Sequence, residues 1–484
     1  MDKKVNAMDD GGRLPMRPLK SRARRAAAFG AGALTLAVLL DMTAPAIADD
    51  LNAALAQTYL GNPTLDAARA QLRATDEGVP QALSGWRPTV TGQVTAGPEW
   101  DHNGNKLTPQ QAAVTDRDPQ FYPRTYSVTV TQPVFNGFGT VSGTKAAENR
   151  VRAGRAQLLD TEQQVFLQAV QAYMNVVEDQ SILDLNINNR KVLEAQLQAT
   201  NDRFDAGEVT KTDVAQAQSS LAGAVANVTQ AQGTLENAKS VYRQVIGQEP
   251  VGVAMPSIPV NLPTKLEDAV VLAQEQPQVI AAQFVEQASK DDIDTQFSEM
   301  LPTVSLQGSF THTDDNGDKN QSGEAGTILG VLSVPLYQAG APDSRVRQAK
   351  QVYQQARKQL DEARRSADQQ VVGAWQALVT AQAQIVSFEE QVKANDIALE
   401  GVRQEQTVGA RTVLDVLDAE QAALNSRVSL VTAQTNLVVA RYQLLSAVGR
   451  LNAKDLALKV DVYDPAQHYN QVRNKIWGTG PSVQ

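Results

Sequence analysis

The 484 residues contain no cysteine. That excludes disulfides, thiolate metal sites and cysteine nucleophiles, and with them the acylated cysteine that anchors a bacterial lipoprotein. Aromatic residues make up 5% of the chain, too few for a large globular core built on Phe, Tyr and Trp. Histidine is nearly absent: His102, His312 and His468 lie in loop-like stretches without metal-ligand spacing. No HExxH, GxSxG or P-loop is present, and GFGTVSG (137–143) departs from the dinucleotide-binding GxGxxG. TDDNGDKNQSGEA (313–325) starts like a calcium loop, but Lys319 stands where glycine is required and Ala325 where the last glutamate belongs. An enzyme is therefore not expected, nor a cofactor or metal. Proline is missing from 134 to 249 and again from 343 to 464. Stretches of that length without proline are what uninterrupted helices need, and the abundance of Ala and Gln suits long, close-packed ones.

The first 48 residues read as a secretory signal. Lys20, Arg22, Arg24 and Arg25 precede the apolar run 26–40, and Ala46-Ile47-Ala48 forms a small-x-small cleavage site before Asp49. The basic lead is long, so Met16 is an alternative start, and an uncleaved anchor is the alternative reading of the run. The segment holds eight Lys/Arg and four Asp/Glu, so the remainder carries 36 basic and 49 acidic residues, a net charge of −13. That balance argues against nucleic acid as a partner. Beyond residue 48 no run reaches 18 consecutive apolar residues, so no membrane-spanning helix is predicted. A β-barrel escapes that test, because its segments are short and only half apolar.

The chain repeats itself. GNPTLDAARAQ (61–71) and GWRPTVTGQV (85–94) are matched by EQPQVIAAQF (275–284) and EMLPTVSLQG (299–308), with Pro63/Pro277 and Pro88/Pro302 both 214 apart. From Pro133/Pro335 onward the offset is 202, through Gly207/Gly409 to Gly247/Gly449, which places twelve extra residues in the first half's loop. Fixed offsets over such a distance mark an internal duplication. Each half runs short helix, strand, polar loop, strand, very long helical stretch, turn, second helical stretch. A helix over 141–205 would be roughly 100 Å long, more than one globular core can bury.

Seven-residue rows show how these helices pack. Val371, Leu378, Ile385, Val392 and Leu399 form one row, and Val214, Leu221, Val228, Leu235 and Tyr242 another. Val416, Ala423, Leu430, Leu437 and Leu444 run beside Leu417, Leu424, Val431, Val438 and Leu445. Such spacing means coiled coil. The paired rows mean a helix with neighbours on two sides, in a hollow cylinder or an ordinary antiparallel bundle. TYSVTVTQPVF (125–135) and PTVSLQGSFTHT (302–313) alternate apolar and polar residues, and TVTGQVTAG (89–97) and TILGVLSVPLY (327–337) do so more weakly. Each is about the ten residues that a tilted strand needs to cross a bilayer. Loops 97–124 and 311–326 are long and polar. Four strands cannot close into a barrel, and open edges are not tolerated in lipid. Membrane strands would therefore have to be pooled: three chains give twelve strands, whereas two give eight, a barrel filled by its own side chains. The soluble alternative is a small sheet capping a helical bundle.

Over about 49–462 the chain resembles the TolC-like family of outer-membrane channel-tunnels. The likeness rests on the duplicated plan, Asn62-Pro63, QPVFNGFG (132–139), VPLYQAGAP (334–342) and above all VGARTVLDVLDAE (408–420). It implies an α+β membrane protein: a homotrimer whose four strands per chain complete a twelve-stranded outer-membrane barrel, continued by a twelve-helix periplasmic tunnel. The segments are then a signal peptide (1–48) and a first repeat (49–250) with strand pair 89–135 and long helices 141–247. An equatorial linker (251–265) leads to a second repeat (266–452) with strand pair 302–337 and long helices 343–449, and a C-terminal equatorial tail (453–484) follows. Implied partners are a periplasmic adaptor, an inner-membrane transporter of RND, ABC or MFS type and outer-membrane lipid. The implied function is an exit duct for drug efflux or type I protein secretion. The alternatives are a soluble periplasmic coiled-coil adaptor, which would fractionate without detergent, and an outer-membrane receptor or adhesin, whose loss would leave drug sensitivity and secretion unchanged.

Gly207 and Gly409 follow the long helices as left-handed C′ residues, and the resemblance makes these turns the periplasmic tip. Thr210-x-x-Asp213 and Thr412-x-x-Asp415 have the spacing of capping boxes. Asp418 lies one turn further in, beyond the reach of a cap and on one face with Asp415. From the residues alone it is a solvated outer position, a salt-bridge partner or a functional carboxylate. The resemblance implies that Asp415 and Asp418 form stacked acidic rings at the pore constriction. It also implies that Arg411 links to Thr212 and Asp213 to hold the entrance shut. Gln406 stands where the family's best-known member has a tyrosine gate link.

Overall fold

A computed structural model describes residues 50–100, 120–256, 262–315 and 322–480. The expected signal peptide, His102, Lys319 and the middle of the 97–124 loop lie outside the described residues. Three short helices open the chain: α1 (Leu51–Gly61), α2 (Pro63–Asp76) and α3 (Gly78–Leu83), followed by a 3-10 turn at Ser84–Trp86. Strand β1 (Thr89–Ala96), the short pair β2 (Glu99–Trp100) and β3 (Gln120–Phe121), and β4 (Arg124–Asn136) lead into helices α4 (Gly139–Asp205) and α5 (Lys211–Ile246). The second half supplies α6 (Leu266–Ala273), α7 (Pro277–Ser298), β5 (Thr303–Asp314), β6 (Gly323–Ser333), α8 (Ala341–Thr407), α9 (Val413–Ala447) and the short α10 (Gln467–Val472).

Helices α4 and α8 each have 67 residues, which is about 100 Å at the α-helical rise. Each ends in the same device. The Gly207 amide donates to Phe204 O and Glu208 N to Arg203 O; Gly409 N donates to Gln406 O and Ala410 N to Glu405 O. This pair of bonds is a Schellman turn, and it needs a left-handed C′ residue. Gly207 and Gly409 supply it at φ +79° and +78°. Helix α9 packs against α8 on one side and α4 on the other, as its doubled rows require: Val416, Ala423 and Leu444 are buried, and so are Leu417, Leu424, Val438 and Leu445. The main core lies mid-length, where Leu51, Leu55 and Tyr59 of α1 meet Phe166, Tyr173, Tyr242 and Leu445. One 18-residue window of α8 reaches a mean hydropathy of 1.2, enough by length and composition to cross a membrane. Inside a 67-residue helix whose buried positions recur every seven residues, it reads as a seam for neighbouring helices.

The sheet runs β1-β4-β5-β6, antiparallel throughout, so the two halves join at β4–β5. Its register sorts the residues by face. Val90 pairs with Val130, Gly92 with Val128, Val128 with Phe310 and Gly308 with Ile328, which lines up one apolar face. Thr91, Gln93, Ser127, Thr129, Thr131, Gln307 and Ser309 fall on the other; Leu329 and Val331 of β6 interrupt it. Among the described residues nothing covers the apolar face: Val90 is 68% exposed, Phe310 51% and Ile328 80%. The strands are displaced from the sequence expectation on the β6 side. β5 and β6 extend to Asp314 and Gly323, shortening the expected 311–326 loop, and 334–337 is not strand. Pro335 has no N–H to give the ladder. Pro133 stays within β4 because a register shift there relieves the same defect.

Glycine substitutions separate the effects of space and backbone conformation. A Cβ meets nothing within 4 Å at Gly409 or at Gly223 in mid-α5, yet only Gly409 has positive φ. Gly409→Ala is expected to weaken the end of α8 by ~1–2 kcal/mol, and Gly223→Ala to strengthen α5 by ~1 kcal/mol. Hydrogen-exchange mass spectrometry of the two segments checks the opposite signs.

Candidate functional site

The candidate residues cluster at the two hairpin tips, α4–α5 and α8–α9. Both tips are built alike. Asp213 Oδ2 accepts from Thr210 N at 2.8 Å and from Thr210 Oγ1 at 2.7 Å, and Asp213 N donates back to Thr210 Oγ1. Asp415 Oδ2 accepts from Thr412 N and Thr412 Oγ1, both at 2.8 Å, and Asp415 N donates to Thr412 Oγ1. Each box satisfies N–H groups that the first helical turn would leave unpaired. The backbone bond from the threonine, then its hydroxyl, hold both carboxyls below the ordinary aspartate pKa. In both boxes the cap bonds fall on Oδ2, so capping does not use up the Oδ1 acceptor.

The tips differ in what surrounds these caps. Arg411 Nε donates to Glu405 Oε2 at 2.8 Å, and that carboxylate raises the guanidinium pKa further. No hydrogen bond joins Arg411 to Thr212 or Asp213 within one chain among the described residues; Thr212 is exposed in the first turn of α5. Gln406 is buried, and its amide Nε2 has no partner. Asp418 is exposed and forms no ion pair among the described residues, so the salt-bridge alternative for it is not realised. It lines a shallow groove of about 240 Å³ between α9 and the first hairpin, with Asn189, Ser220, Asn227 and Glu420. Just below, Val413 and Leu417 pack on Leu193 and Ala224, which sets the second tip against the first. At the offset of 202 Asp418 corresponds to Gln216, so the second carboxylate belongs to one tip only.

Two ion pairs across α8 and α9 were not read from the sequence. Arg403 Nε donates to Glu420 Oε1 at 3.1 Å and its Nη2 to the same oxygen, with the Glu420 side chain 11% exposed. Arg427 Nη2 donates to Asp396 Oδ1 at 2.7 Å. Asn395 Nδ2 adds a bond to Ala422 O at 3.2 Å. Both ion pairs are centred on the same point of the chain, between Arg411 and Thr412. Opposite charges equidistant from a predicted tight turn were the available signal. The first hairpin has Asn201, Gln218, Glu194 and Val225 at the corresponding places and makes neither pair.

A double-mutant cycle tests the cross-tie. Arg403→Met leaves the Glu420 carboxylate poorly satisfied and should destabilise the hairpin by about 1–3 kcal/mol. Arg403→Met with Glu420→Leu should lie closer to the parent than either single change; additive losses in denaturant unfolding would contradict the tie. The caps respond to acid. A carboxyl whose folded pKa is lowered contributes stability that is present above its unfolded pKa and is lost as pH falls through the folded value. Hydrogen-exchange protection of the Thr210 and Thr412 amides should therefore drop as the pH is taken below about 4.

Comparison with known proteins places this architecture. The family model described as outer membrane efflux protein matches residues 54–248 and 270–450. The chain is 33% identical over 440 residues to the outer membrane efflux protein BepC of Brucella suis, covering 90% of this chain and 92% of that one. It is 26% identical over 410 residues to the outer membrane protein TolC of Vibrio cholerae, covering 83% and 90%. The crystal structure of the Campylobacter jejuni CmeC outer membrane channel superposes with a TM-score of 0.75 over 88% of this chain and 89% of that chain; at 15% identity it bears on the fold alone. A two-faced sheet of four strands, carried on two capped hairpins that each begin with a 67-residue helix, is thus the framework of a membrane duct, and the chain belongs to the outer membrane efflux protein family.

Proposed function

We propose that three copies of the chain pool their sheets into a twelve-stranded barrel in the outer membrane and their long helices into a periplasmic tunnel. The assembly is an exit duct that passes drugs or polypeptides from an inner-membrane transporter to the exterior, with a periplasmic adaptor between the two. The observation that carries this reading is the sheet: among the described residues, one apolar face without cover, one polar face, and two edges, β1 and β6, each paired on one side only. An apolar outer face belongs against lipid, a polar inner face against water, and the free edges against other copies. The transporter supplies energy and cargo; the duct carries out no bond chemistry of its own.

The hairpin tips are the entrance. Three copies of Asp415 and Asp418 at its narrowest level make an acidic constriction that favours cations over anions. The depressed pKa of Asp415 keeps its carboxyl charged at any physiological pH. Arg411 latches the entrance through Thr212 and Asp213 of an adjacent hairpin. Geometry supports this in two ways: Arg411 is held at the exposed tip by Glu405, and the cap bonds of Asp213 fall on Oδ2 and leave its Oδ1 for an incoming guanidinium. Gln406, buried with its Nε2 unpartnered, adds a further donor to the latch.

Planar-bilayer recording tests both parts. Arg411→Ser and Asp213→Ala should each raise single-channel conductance, and unchanged conductance in both would remove the latch. Asp415→Asn with Asp418→Asn should lower the preference for cations without loss of expression, since the asparagine Oδ1 can still accept the Thr412 N–H; unaltered selectivity would remove the acidic constriction.

A further inference from the structure

The C-terminal tail carries two large apolar side chains that the chain leaves in the open: Ile476 is 79% exposed and Trp477 89%. The tail is nonetheless held in place. His468 Nδ1 lies 3.0 Å from Asp76 Oδ2, and Arg473 Nη2 donates to Glu148 Oε1 at 3.1 Å. At its far end Arg87 Nη1 donates to Lys475 O at 2.8 Å. Arg87 is two residues from the start of β1, so this bond sets Ile476 and Trp477 beside the loop-distal base of the sheet. An exposed tryptophan at the end of a tethered segment is a presented group.

The side of the sheet it stands under follows from one contact. Gln132 shares the apolar face with Val128 and Val130, and its Nε2 donates to Trp86 O at 2.9 Å. Trp86 and Arg87 therefore lie below the lipid-facing side of the barrel wall. Other exposed apolar groups mark the same level: Phe138, packed edge-on at 5.1 Å against Phe135, and Leu336 and Tyr337, which follow β6. Aromatic residues at both ends of an apolar band are how barrels mark the two water–lipid interfaces.

We infer that Ile476 and Trp477 insert into the headgroup region of the periplasmic leaflet, so that the C-terminal tail is a membrane-interface foot joining the upper helices to phospholipid. The partner is a phospholipid surface. The foot continues the apolar face that the sheet already turns to lipid, and it suits that partner chemically: an amphipathic indole on a short apolar step, flanked by the cations Lys475 and Arg87 near lipid phosphates. The inference rests on the proposed membrane orientation of the sheet, and the test separates the two.

The chain has no native cysteine, so Trp477→Cys in the full chain accepts a single nitrobenzoxadiazole probe, and Val128→Cys on the apolar sheet face serves as the reference. Both proteins are reconstituted in phosphatidylethanolamine/phosphatidylglycerol vesicles, with and without lipids spin-labelled near the headgroup. The expected result is that the probe at 477 loses emission to the spin-labelled lipid and is shielded from aqueous iodide. Quenching by iodide with no effect of the lipid label would place the tail in water and overturn the foot. Insensitivity to both quenchers would mean that a second copy of the chain covers the site, and would overturn it as well. If the probe at 128 also fails to sense lipid, the membrane reading of the sheet fails with it; if only the probe at 477 fails, the foot alone is lost.

Discussion

Every backbone N–H and C=O that meets lipid must have a partner, because hydrocarbon offers none. This chain brings four antiparallel strands and leaves one side of β1 and one side of β6 unpaired. Among the described residues no layer of the same chain packs on either sheet face, so they supply no core to hold the sheet together from behind. A sheet of this kind has no stable existence alone. Its edges ask for other copies, and the proposed shared barrel is the arrangement in which they are met without an exposed edge. The two 67-residue helices pose the same problem in another form: their flanks are too long for one chain to bury. In the proposed assembly, shared edges above and shared flanks below meet one requirement along the whole length.

Duplication supplies the elements, and divergence supplies what distinguishes the two tips. Both tips keep the Schellman glycine and the Thr-x-x-Asp box at the same offset, because these fix how an end of helix turns and restarts. What differs is charge. Only the second hairpin has Arg411 with Glu405, Arg403 with Glu420, Arg427 with Asp396, and the unpaired Asp418. The ties hold α8 and α9 as a pair and leave the Asp418 carboxylate open to the groove at the tip. In the proposed entrance, such ties within one hairpin would leave the seam between hairpins, where Val413 and Leu417 pack on Leu193 and Ala224, as the place that opens.

Much of this was legible in the sequence where the cause is local. A glycine after a long helix, a threonine three residues before an aspartate, strict alternation in a strand and seven-residue rows each carry their geometry with them. The acidic pair was visible as a spacing, and the structure adds that Asp415 is occupied as a cap while Asp418 is not. The features that escaped are those in which distant residues decide. The Arg403–Glu420 and Arg427–Asp396 pairs exist only once α8 and α9 lie side by side. The displacement of β6 toward its loop followed from Pro335, whose missing N–H outweighs the alternation around it. The tail bearing Trp477 gave no sequence signal, since its place is set by contacts with Asp76, Arg87 and Glu148, which lie 392, 388 and 325 positions away from their partners.

The central claim, that a subunit's sheet is completed only by other copies, is tested most directly by the mass of the particle extracted from membranes in mild detergent, measured by native mass spectrometry. Three chains in one particle, collapsing to aggregates rather than stable single chains when dissociated, is the result the account predicts. A stable single chain that stays in solution without detergent would contradict it.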